Sequence, residues 1–168
     1  MRVLGIDPGA SGGIALLHSG QVIELDDVPA VKIRRGKTDK AEVDPFALRA
    51  RIAELGWIDV AVVEAVGGIS KQSASSSFNF GRAVGMIEGV LAGMSIRTER
   101  MAPIAWRTVL RVPKGDDKDP SLQMARRLWP SHTDKLLRKK DADRAEAALI
   151  ALAWWNRYGQ GENRGVFG

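Results

Sequence analysis

Two apolar runs, each ending in a carboxylate, constrain this chain most. Val3-Leu4-Gly5-Ile6 leads straight into Asp7, and Val60-Ala61-Val62-Val63 leads into Glu64. Short unbroken apolar runs read as strands covered on both faces of a sheet. Pro8-Gly9, with Gly12 and Gly13, turns the chain sharply after the first of them and lets another backbone or a phosphate come close. A charge delivered to the end of a buried strand is costly unless it finds a partner, and a metal ion would supply one. Ligands of open sheets with parallel strands bind outside the carboxyl ends of those strands. The plainer alternatives are that Asp7 caps a turn and that Glu64 is solvated.

The remaining pattern is α/β. Residues 2–7, 12–18, 21–28, 58–64 and 95–101 read as five strands, with Ser19-Gly20 a tight turn between the second and third. Residues 44–56, 77–94, a segment opened by Pro103, 121–129 and 141–158 read as helices. One domain over 1–158 with a disordered tail over 159–168 suits a chain of 168 residues. Lys32 to Lys40 reads as a polar loop, either solvated or an arm touching phosphate, and 67–77 as a flexible Gly/Ser loop carrying Lys71. Gly81, Gly85, Gly89 and Gly93 fall four apart inside one helix, where each costs roughly 0.5–1 kcal/mol relative to Ala. Close backbone approach would offset that cost, against the sheet or, as favoured here, against a second copy across a two-fold axis.

Composition excludes several chemistries. There is no cysteine, so no disulfide, thiolate nucleophile or thiolate metal site, and only His18 and His132 are available for imidazole ligation. A net charge of +5 favours a polyanionic partner such as nucleic acid. No apolar stretch is long enough for a membrane span and no signal peptide is evident, so the expected location is the cytoplasm.

The last helix supplies further acids. Asp143 and Glu146 are three apart and share a face that continues through Ala147 and Ile150. Asp141 points elsewhere, as an N-cap or helix-dipole partner. Asp7, Glu64, Asp143 and Glu146 brought together would repel strongly. Hard divalent cations relieve that repulsion, and all-oxygen ligands suit Mg²⁺ or Mn²⁺. Two such ions can activate a water and stabilise the leaving oxygen of a phosphodiester.

Gly5-Ile6-Asp7-Pro8-Gly9, Val62-Val63-Glu64 and Asp143-Arg144-Ala145-Glu146-Ala147 resemble the RuvC family of Holliday junction resolvases. Phe78-Asn79-Phe80-Gly81-Arg82 and Pro113-Lys114-Gly115-Asp116-Asp117-Lys118 resemble its phage-type branch. The resemblance implies a ribonuclease H-like fold, a mixed five-stranded sheet flanked by helices. It implies a homodimer that nicks opposing strands of a four-way DNA junction with Mg²⁺ or Mn²⁺, two ions per subunit. Asp7, Glu64 and Asp143 would then be metal ligands and Glu146 the fourth acid, where the family often has the shorter Asp; Asp141 is the other candidate to complete the shell. Lys118 matches a lysine near the scissile phosphate, and Arg107 is the nearest basic substitute for another. Lys71, Arg82, Arg107, Lys114 and Lys118 are the candidate DNA contacts. Some family members place an aromatic wedge three residues after the strand acid. Gly67 stands there, and Phe78 or Phe80 would replace the wedge or, as favoured here, pack within the helix. The rival functions are an inactive junction binder and a nuclease of RNA–DNA hybrids.

Overall fold

The structure is a computed structural model that describes residues 1–36, 38–65, 73–113 and 119–159. Five strands form one mixed sheet: β1 (Arg2–Asp7), β2 (Gly13–His18), β3 (Gln21–Asp27), β6 (Val60–Glu64) and β7 (Thr98–Met101), in the order β3-β2-β1-β6-β7. β1 pairs antiparallel with β2 and parallel with β6, and β6 pairs parallel with β7. The expected α/β architecture is therefore present, with its central strands the two that end in acids.

Alternation along the strands builds two cores. Leu4, Ile6, Ala61 and Val63 face α1 (Pro45–Glu54) and α2 (Ala74–Gly93), whose Leu48, Ile52, Ala83, Ile87 and Leu91 are buried with them. Val3, Val60 and Val62 face α3 (Pro103–Leu110), α4 (Asp119–Leu128) and α5 (Ala142–Trp154), with Trp106, Leu122 and Leu149 among the buried side chains. Nine of the 13 residues of α5 are Ala, Leu or Ile and most of its length is buried, so it lies directly on β1 and β2. Two glycines make that approach possible. A Cβ on Gly5 would overlap the Ala147 carbonyl oxygen and stand 2.9 Å from Ala151 Cβ; one on Gly13 would stand 2.6 Å from Arg144 N.

Asp59 fixes the entrance to the central pair. Its carboxylate accepts from the Arg2 N–H at 2.6 Å and from the Trp57 indole N–H at 3.1 Å. The Arg2 bond chiefly, and the Trp57 bond and nearby positive charges after it, hold its pKa below the ordinary value against the opposing effect of burial. The folded group titrates below its unfolded value, so its contribution is present above about pH 4 and is lost as pH falls through the lowered pKa. At this exposed site, screening limits the contribution to about 1 kcal/mol or less. Asp59→Asn is expected to lower the urea midpoint at pH 7, with the two curves converging as pH falls through the lowered pKa. A gap that stays constant with pH would mean that the charge is not what matters.

Several expectations change. Lys32 to Lys40 is not a loop. Residues on either side of Gly36 form a second, two-stranded sheet, β4 (Ala30–Arg35) and β5 (Thr38–Val43), in unbroken antiparallel register. Val31-Lys32-Ile33-Arg34 does alternate, but the strands lie outside the main sheet, so the charged positions hid the period. α2 begins at Ala74, earlier than expected, because Ser73 caps it by accepting from the Ser76 N–H at 3.2 Å. The last helix ends sooner, at Trp154, and closes through a π-helical turn over Trp155–Gly159. The glycine stripe does not pack on the sheet: beyond the helix's own backbone, no described atom lies within 4 Å of a Cβ placed at Gly81, Gly85, Gly89 or Gly93. Phe78 does not pack within the helix either, being 66% exposed. No helix among the described residues is long and apolar enough to cross a membrane.

Candidate active site

Parallel register brings the two strand acids level. Ile6 pairs with Val63, so Asp7 and Glu64 leave the sheet side by side. Alternation puts both on the α5 face, two steps beyond Gly5 and Val62. Asp143 sits in the first turn of α5, and Glu146 one turn on. Carboxylate oxygens of Asp7, Asp143 and Glu146 all lie within 4.8 Å of one another, with Asp7 and Glu146 buried and Asp143 partly so. Ligands on opposite sides of an octahedral Mg²⁺ are about 4 Å apart, so this all-oxygen set fits a hard divalent ion. Glu64 lies outside that close group. Its Oε1 accepts from the indole N–H of fully buried Trp106 at 2.8 Å.

The neighbours hold the acids in place. Arg107 donates to Glu146 Oε1 at 2.7 Å and stacks over the Trp106 ring at 4.5 Å; the Ser121 hydroxyl donates to the same oxygen at 3.1 Å. One guanidinium thus offsets part of the charge of Glu146. Arg144 donates to both oxygens of Asp27, at 2.6 and 2.8 Å, which ties the first turn of α5 to the end of β3. That bond, followed by the charges of Asp27, Asp141 and Asp26, raises the Arg144 pKa against burial. A cation in a helix's first turn opposes the macrodipole, which is the signal that this arginine is held elsewhere.

Asp141 turns away from the group. It is buried, and its carboxylate takes the Arg138 N–H at 2.8 Å and the Arg138 guanidinium at 2.9 Å. Burial would raise its pKa, but the Arg138 bonds and the charges of Arg138 and Arg144 bring it below the ordinary value. Among the four acids named on sequence grounds, the structure therefore gathers Asp7, Asp143 and Glu146 most tightly, with Glu64 at the adjacent strand end.

A cleft of about 550 Å³ opens beside the acids. It is lined by Asp7 and Asp143, by the turn 8–12, by Phe80, Arg82 and Met86 of α2 and by Lys40 to Val43 of β5. Phe80, partly buried, lines this space. Arg82 forms an ion pair with Glu42 across the cleft. Lys71, Lys114 and Lys118 lie outside the described residues. Trp106, Ser121 and Arg144 were missed as site residues. Trp106 and Arg144 stood in the right segments, but only the fold shows which acid each one meets.

No protein-family model matches the chain, and no curated protein matches it. Solved structures do. The fold is similar to Thermus thermophilus RuvC in complex with a Holliday junction substrate, with TM-score 0.57 and 15% identity over 94% of this chain and 97% of that one. It is similar to a second Thermus thermophilus RuvC structure, with TM-score 0.54 and 18% identity over 95% of this chain and 97% of that one. The yeast mitochondrial Holliday junction resolvase Ydc2 aligns with TM-score 0.55 and 17% identity, over 96% of this chain and 82% of that one. At these identities the likeness establishes the fold, an α/β architecture with a mixed five-stranded sheet flanked by helices.

Proposed function

We propose that this chain is a divalent-metal-dependent endonuclease of branched DNA, one that resolves Holliday junctions by paired nicks from a homodimer. The observation that carries the reading is the convergence of Asp7, Asp143 and Glu146, from β1 and α5, within 4.8 Å, with Asp7 and Asp143 lining an open cleft. The resolvase fold supports the substrate class. Asp7, Asp143 and Glu146 would hold Mg²⁺ or Mn²⁺, and Glu64, steadied by Trp106, stands where it would complete the shell. When bound, such ions polarise the phosphate and lower the pKa of an attacking water. The chain's own part is positional. Gly5 and Gly13 seat α5, Arg144 anchors its first turn, and Arg107 steadies Glu146. Lys118 is assigned to the charge developing on the scissile phosphate, and Lys71, Arg82, Arg107 and Lys114 to the DNA backbone. The open glycine face of α2 is assigned to a second copy of the chain, which supports a homodimer; assignment to the phage-type branch rests on the motifs at 78–82 and 113–118.

The test compares a labelled four-way junction, a fork, a linear duplex and an RNA–DNA hybrid, each with Mg²⁺, Mn²⁺ or excess chelator. Symmetric nicks in the junction with either ion, and none with chelator, are expected. Preferential cutting of the hybrid would move the chain to the ribonuclease H reading. Tight junction binding without cleavage in either ion would make it an architectural binder.

A further inference from the structure

We propose that the β4–β5 hairpin is a clamp that grips the sugar–phosphate backbone of a DNA arm entering the cleft; this rests on the nuclease reading above. The hairpin is a sheet of its own, paired from Ala30 with Val43 to Arg35 with Thr38. Its base is fixed. Val28 and Val43 are buried, the Asp44 N–H donates to the Pro29 carbonyl at 2.9 Å, and Glu42 pairs with Arg82 of α2.

Beyond that base the hairpin buries little. Val31 and Ile33 are 43% and 38% exposed, and Lys32, Arg34 and Lys40 are exposed too. An isolated two-stranded hairpin is marginal in water, so a core does not account for these residues. Residues 30–43 hold five Lys or Arg against Asp39 and Glu42, and Glu42 is already paired with Arg82. The surplus is cationic, which selects a polyanion. Position selects which one: Lys40 to Val43 line the same cleft as Asp7 and Asp143, so the hairpin flanks a route to the acids. Ile33 stands opposite Lys40 in the register, so an apolar surface for a sugar lies next to a cation for its phosphate. Pairing of this hairpin with its copy in a second chain would set like charges side by side, which is unfavourable.

The experiment uses the full chain and a fluorescent four-way junction. Lys32→Ala, Arg34→Ala and Lys40→Ala are combined, and anisotropy is followed from about 50 to 200 mM salt without divalent ion. The variant should bind about tenfold or more weakly at the low end. Its log–log salt slope should be shallower by about two to three, at about 0.9 for each phosphate no longer neutralised. Single-turnover cleavage at a subsaturating junction concentration should fall in step with the loss of affinity. Exchanging each cation for the other type (Lys32→Arg, Arg34→Lys, Lys40→Arg) should restore affinity and slope, which excludes simple misfolding. Unchanged affinity and slope beside a wild type that binds and cuts junctions would overturn the clamp alone. A change in oligomeric mass with unchanged affinity would overturn it in favour of a seat for a second copy. A wild type that neither binds nor cuts any branched DNA would overturn the nuclease reading beneath it.

Discussion

Asp7→Asn is expected to lower junction cleavage by at least roughly a thousandfold, about 4 kcal/mol in the activation barrier, while the junction Kd stays within about threefold. The asymmetry follows from where Asp7 stands. It lines the cleft, and one of its oxygens lies within 4.8 Å of an oxygen of Asp143 and one of Glu146. Any ion held by the group must therefore meet Asp7, and an amide offers one neutral oxygen in place of a charged pair. DNA affinity rests instead on cations that the substitution leaves in place. The replacement is isosteric, so an unchanged melting temperature is the control. Single-turnover rates in Mg²⁺ and Mn²⁺ give the measurement. A variant that cuts within tenfold of wild type would remove Asp7 from the chemistry.

The sheet was legible because its strands are apolar without interruption. Only burial on both faces rewards runs such as Val3 to Ile6 and Val60 to Val63. The pairing of Asp7 with Glu64 was also legible in principle. Counting in twos from Val3 and from Val60 places both acids on one face. Asp143 and Glu146 could be read as helical neighbours, yet nothing local says that α5 covers β1. That depends on glycines more than a hundred residues away in sequence. Sequence separation also explains why Trp106 and Arg144 went unread as site residues. Their partners, Glu64 and Asp27, are set by the fold and not by spacing. The hairpin is hidden for the opposite reason: its alternation is local and present, but Val31 and Ile33 of β4 stand opposite charged Glu42 and Lys40 of β5, so no continuous hydrophobic face marks it. Phe78 shows the complementary failure, since an aromatic residue in a helix reads as core and this one is mostly exposed.

The second large effect is structural. Gly5→Ala should lower stability by about 3 kcal/mol or more, which is roughly 6–12 °C in melting temperature for a chain of this size. The added methyl would overlap the Ala147 carbonyl oxygen and lie 3.0 Å from its carbon. Backbone cannot rotate out of the way as a side chain can, so α5 as a whole must lift from β1. The acids ride on that helix: Asp143 lies one turn ahead of Ala147 and Glu146 immediately before it. A shift of about 1 Å there would pull them from Asp7, so cleavage should fall even at temperatures where the variant stays folded. Gly81→Ala is the internal contrast. Its Cβ meets no described atom within 4 Å beyond its own helix, and the change there should stabilise the monomer by about 0.5–1 kcal/mol. If α2 meets its copy through that face, the same change should instead weaken the dimer, which sedimentation would report. A Gly5→Ala protein as stable as wild type would mean that α5 does not lie on β1 at backbone contact, and the acid cluster would lose its geometric basis.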